Sequence, residues 1–150
     1  MRSALRKVRK AAALPRADRA LLIEAAAALP LIGLGLRVAR LQTLLAGLAS
    51  MAARWPQPGS PEPLDGVRRA RRMLALAAWN HPYRGTCLTR SATLWWLLRR
   101  RGIRAELRIG VRKNAGALEG HAWVECDGRG ISDRRQAHRH YTPFTETLTP

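Results

Sequence analysis

Apolar residues recur at helical spacing through the first two thirds of the chain and alternate with polar ones beyond it. Asp18 is the expected N-cap of a first helix reaching about Leu29, where Pro30 removes a backbone donor and crowds the preceding turn. A second helix is predicted from about Leu34 to Ala53, with Leu36, Ala39, Arg40, Leu41, Leu44, Leu45 and Leu48 along one stripe. The two form a helical hairpin with one face packed on something apolar. Trp55 to Pro63 has four prolines in nine residues and reads as a linker. A helix from about Leu64 to Trp79, a loop from Asn80 to Thr86 and a helix from Cys87 to Arg101 follow, the last stopped by Gly102.

The pattern then changes. Ala105 to Val111 alternates as a half-buried strand does, and a polar loop from Arg112 to Gly120 leads into a strand at His121-Ala122-Trp123-Val124-Glu125. Asp127-Gly128 turns the chain into a third strand at about Gly130 to Arg134. The expected class is α+β: helices followed by a small antiparallel sheet. Three regions are expected: residues 1–54 as a basic arm and hairpin, 55–63 as the linker, and 64–150 as the chemical domain.

At 150 residues the chain is long enough to bury a core. Its net charge of +17 attracts acidic partners without naming one. The cations are nearly all arginine and are scattered over the whole chain, as they are on solvated faces. Zinc-finger spacing and an aromatic RNA-binding motif are both missing, and the tryptophans sit among aliphatic residues, so no nucleic acid is expected. The stretch from Ala20 to Leu36 is apolar, but Glu24 and Pro30 interrupt it, so no membrane span is expected. Cys87 and Cys126 do not make a disulfide framework, which points to a reduced, cytoplasmic protein.

Those two thiols bring in chemistry. A thiolate is the reactive form of cysteine, and a position at the start of a helix turns N–H groups and the positive dipole end toward its sulfur. Cys87 has that position, and an imidazole completes the activation. The amide of Cys87 can then receive the oxyanion; Asn80 and Tyr83 are candidate second donors. Strand parity puts His121, Trp123 and Glu125 on one face and Ala122, Val124 and Cys126 on the other, so Cys126 points away from His121. Among the carboxylates, Glu125 lies about 13 Å along the strand from His121 at roughly 3.3 Å per residue. Asp127 belongs to the turn, and Asp133 is on the returning strand. For Asp133 to reach His121, the connection must have odd length or contain a bulge near Gly128 to Gly130, because a two-residue turn pairs Asp133 with Ala122 on the wrong face.

Four blocks now carry a resemblance: Thr86-Cys87-Leu88-Thr89-Arg90-Ser91, Leu97 to Gly102, Leu107 to Arg112, and His121 to Glu125. In this order they resemble the transglutaminase-like cysteine peptidases of lasso-peptide biosynthesis, over about residues 60 to 135. The resemblance implies a papain-like fold and a Cys87-His121-Asp133 triad of nucleophile, base and orienting acid, with no metal or cofactor. It also implies a precursor peptide as substrate, a separate leader-recognition protein, and a macrolactam-forming cyclase that uses the freed amine. Thr89 stands where the family leads one to expect proline.

Three other readings compete. The same site in a transamidase or amidase would share the acyl-enzyme and differ only in what attacks it. A basic nucleic-acid module would bind with steep salt dependence, indifferent to Cys87→Ala. A zinc site from His81, Cys87, Cys126, His138 and His140 lacks the usual ligand spacing.

Overall fold

The computed structural model describes residues 13–59, 62–132 and 137–144. Among the described residues four helices come first: α1 (Arg16–Val38), α2 (Leu41–Arg54), α3 (Pro63–Asn80) and α4 (Cys87–Arg99). Strands β1 (Glu106–Asn114), β2 (Ala117–Cys126) and β3 (Arg129–Gly130) follow, then a short 3-10 helix (Ala137–His140) and β4 (Thr142–Pro143). The sheet is antiparallel in the order β3-β2-β1-β4, so the class is α+β.

The helical boundaries differ from the sequence expectation at Pro30. α1 runs straight through it, and the break falls at Ala39-Arg40, where the backbone turns extended. An interior proline costs about 3 kcal/mol. Burying Leu29 and Ile32, which flank it on the packed face, returns about 1.5–3 kcal/mol each. Packing therefore outweighs the lost hydrogen bond. Asp18 is not the N-cap either, because the helix starts two residues before it. Its carboxylate is buried in the first turn, where the dipole favours it, and reaches Arg69 Nε at 3.0 Å and Arg72 Nη2 at 2.5 Å on α3.

Glu24 makes the matching contact at the other side. One carboxylate oxygen takes the guanidinium of Arg100 and the other takes Arg101 Nη2 at 2.5 Å, just past the end of α4. By length and composition α1 is apolar enough to cross a membrane. Here one face packs on α3 and α4, and both of its carboxylates are tied to arginines of this chain.

α4 is the centre of the domain. Nine of its thirteen residues are buried, among them Trp95, Leu97 and Leu98. Helices cover one side, and Leu107 and Val124, paired across β1 and β2, cover the other. A helix enclosed on all sides is apolar all round. Two of its polar side chains bond to carbonyls within reach, Thr93 Oγ1 donating to Thr89 (2.7 Å) and Trp95 Nε1 to Ala105 (3.1 Å), whereas Trp96 Nε1 is buried with no hydrogen-bond acceptor among the described residues. The proline-rich segment is pinned to the end of this helix, as Gln57 N–H donates to Arg100 O (2.7 Å) and Arg100 Nε to Trp55 O (2.9 Å). The core includes Leu45, Leu48 and Ala52 of α2, so the hairpin shares it with α4.

The hairpin β1–β2 corrects a second expectation. In place of a polar loop from Arg112 to Gly120, the strands continue to a two-residue turn, Ala115-Gly116, with both residues at positive φ. Glu119 holds the tip by accepting from Arg112 Nε (2.7 Å) and Asn114 Nδ2 (2.8 Å). These bonds, Asn114 first, keep the Glu119 carboxyl below its usual range.

Glu24→Gln leaves two arginines without their carboxylate at a half-closed site. It should lower the unfolding free energy on the order of 3 kcal/mol, read as a shift in urea midpoint at unchanged slope.

Candidate active site

The loop before Cys87 is held by its own side chains. His81 Nδ1 accepts the Tyr83 N–H (3.0 Å), and the Tyr83 ring lies so close to α1 that a Cβ on Gly33 would sit 2.3 Å from its hydroxyl. That hydroxyl shares a hydrogen bond with Thr89 Oγ1 (3.3 Å), and Thr89 Oγ1 with Thr86 Oγ1 (3.1 Å). Thr86 caps α4, its Oγ1 accepting the Thr89 N–H at 3.2 Å. Proline at position 89 would lack that donor, so threonine here adds a cap and a tether for Tyr83. Of the two candidate second donors, Asn80 turns its amide back to the Leu76 carbonyl (2.8 Å), and the Tyr83 hydroxyl is engaged with Thr89.

Cys87 is therefore the first residue of a rigid, capped helix, and it is exposed. Its own N–H and that of Leu88 are among those without an intrahelical acceptor, so they face whatever binds at the sulfur. The rest of α4 is buried, which leaves the first turn as the end of a buried rod emerging into solvent.

The sheet contributes the imidazole. With the turn at Ala115-Gly116, hydrogen-bonded pairs alternate from Asn114↔Ala117 to Gly110↔His121, so Ala122 directs its N–H and C=O away from β1. On that side β3 pairs only with Glu125 and Cys126. The carbonyl of Ala122 is taken by Ser91 Oγ of α4 at 2.9 Å. Helix α4 thus seats its second turn on the open edge of β2 at the residue after His121. Cys87 lies one turn nearer the helix start, about 6 Å along the axis and on the same helix face as Ser91.

His121, Trp123 and Glu125 share a sheet face, as parity required. The His121 and Trp123 rings stack at 6.2 Å between centroids, and Trp123 Nε1 donates to Glu125 Oε1 (2.7 Å). On its other side His121 meets Tyr141, a residue the sequence did not mark, at 5.0 Å. Arg112 lies over that tyrosine at 4.8 Å and is itself bonded to Glu119. Gly110, opposite His121, provides the room: a Cβ there would be 2.8 Å from Trp123 and 2.7 Å from the Thr142 carbonyl. Glu125 is engaged with Trp123 and Arg108.

The connection after β2 overturns another expectation. Asp127-Gly128 is a strict two-residue turn, both residues at positive φ, with Cys126 paired to Arg129 and no bulge. Register alone would carry Asp133 opposite Ala122. Regular pairing ends first, however: Ile131 N–H donates to the Val124 carbonyl (2.8 Å), but the returning bond goes from Val124 N–H to the Ser132 side chain (2.8 Å). The strand rule stops applying at Ser132. Asp133 itself lies outside the described residues.

A family model of the transglutaminase-like superfamily matches residues 28–146. The chain belongs to the transglutaminase-like superfamily. Its members are generally cysteine peptidases and transglutaminases. No curated protein and no solved structure matches it. The matched region includes the C-terminal part of α1, residues 28–38, and all of α2, so the superfamily pattern takes in part of the helical layer along with α4 and the sheet.

The second thiol behaves differently from the first. Burial, and then the negative charge of Asp127, push Cys126 from its model-compound 9.0 up to about 11. Iodoacetamide near neutral pH should modify exposed Cys87 well before Cys126, as peptide mass spectrometry would show. Because its folded value is raised, Cys126 contributes stability that is complete below pH 9 and is lost as pH rises through about 11. Cys126→Ala should flatten the decline in thermal midpoint across that window. Gly110→Ala should cost about 1–3 kcal/mol by overpacking and shift Trp123 fluorescence.

Proposed function

We propose that the chain is a cysteine peptidase that removes the leader from a ribosomally made lasso precursor peptide, with Cys87 as nucleophile, His121 as base and Asp133 as orienting acid. Superfamily membership supports the reaction class, and the four-block resemblance supports the substrate. The observation that carries the reading is the Ser91–Ala122 bond, which seats the helix bearing Cys87 on the strand edge beside His121.

His121 accepts the thiol proton as the Cys87 sulfur attacks the scissile carbonyl, and the tetrahedral oxyanion forms against the Cys87 N–H. Collapse breaks the C–N bond. The imidazolium gives its proton to the leaving amine, which departs as the free N-terminus of the core peptide. Water, deprotonated by His121, then cleaves the thioester and returns Cys87 to the thiol. Asp133 holds the ring in the required tautomer. A separate leader-recognition protein presents the precursor, and a macrolactam-forming cyclase consumes the amine.

Co-expression of precursor, recognition protein and cyclase with the wild type should give processed peptide by mass spectrometry. Cys87→Ala and His121→Ala should leave the precursor intact. Intact precursor in all three cultures, or cleavage in all three, would refute the assignment.

A further inference from the structure

α1 has a second apolar face. Ile23, Leu31, Leu34 and Val38 are 64%, 67%, 58% and 77% exposed, and Ala27 between them is exposed too. The spacing is four, four, three and four residues, so all five fall on one side of the helix. At 100° per residue that side is opposite the one bearing Asp18, Leu22 and Leu29, which faces α3 and the core. The strip is about 23 Å long at 1.5 Å per residue and has no charged or hydrogen-bonding side chain within it. Burial inside this domain explains the other face of α1 but not this one.

We propose that this strip docks an amphipathic helix of a separate protein, one whose apolar seam is bordered by carboxylates. The seam is narrow, and from Ala27 to Val38 its spacing of four, three and four is that of a and d positions, with small Ala27 permitting close approach, which fits a helix better than a bilayer. Exposed Arg16, Arg37 and Arg40 stand at its two ends, so a partner with acidic borders is attracted. Charge opposes the two other occupants. A second copy would bring together two chains of net charge +17. The chain's own N-terminal arm, with Arg2, Arg6, Lys7, Arg9 and Lys10, would place cations against arginines. The surface is independent of what Cys87 acts on.

The test uses the full chain and two labelled synthetic helices of about three heptads, both with leucine at a and d, one flanked by glutamate and the other by lysine. Anisotropy should show saturable binding of the glutamate helix that weakens with salt, and at least about tenfold weaker binding of the lysine helix. Leu31→Asp with Leu34→Asp should abolish binding while leaving the thermal midpoint and Cys87 alkylation unchanged. Binding of neither helix, or of both equally, overturns the proposal. So does a dimer by light scattering that the same double variant dissociates, which assigns the strip to a second copy. Flotation with phosphatidylglycerol vesicles, lost in the double variant and without helix binding, assigns it to a bilayer.

Discussion

A helix buried along most of its length can meet solvent only at an end, and most of its polar groups must find partners inside. α4 is under that constraint, and most of the fold follows from it. Its middle is filled by Trp95, Leu97 and Leu98, its hydroxyls bond to neighbouring carbonyls, and its C-terminal arginines are drawn onto Glu24 and the proline-rich segment. The emerging end is the amino end, which carries Cys87. A reactive thiol gains twice from this: the surrounding layers prevent the helix from shifting, and the unpaired N–H groups of its first turn are directed at the sulfur.

The helical layer has the same economy of polar groups. Asp18 and Glu24 sit on an otherwise apolar helix and would be costly there alone. Each bonds two arginines from other elements, which fixes α1 against α3 at one point and against the end of α4 at another. The Tyr83 ring, lying on Gly33 and reaching Thr89, adds a third point directly behind the first turn of α4. The loop before Cys87 is thereby braced against α1.

Some of this was legible from the residues. The α+β class, the helix beginning at Cys87 and the shared face of His121, Trp123 and Glu125 all follow from local periodicity, which depends only on backbone geometry. Three of the departures share one source. Pro30 predicts a stop in α1, Asp18 a cap, and the polarity of Arg112 to Gly120 a loop. In each case a local preference of about 1–3 kcal/mol was overruled by partners distant in sequence: core side chains around the proline, α3 arginines for the aspartate, and β1–β2 pairing for the loop.

The chain by itself therefore determined where a thiol and an imidazole stand and that they occupy a helix start and a strand, because side-chain type and hydrophobic period are written residue by residue. Tertiary structure decided what surrounds them. The end of β3 pairing at Ser132, the seat of Ser91 on the free carbonyl of Ala122 and the place of Tyr141 against His121 all depend on hydrogen bonds and ring contacts between segments far apart in sequence. No local pattern encodes such contacts, since each forms only when two separately folded surfaces happen to present matching groups at the same place.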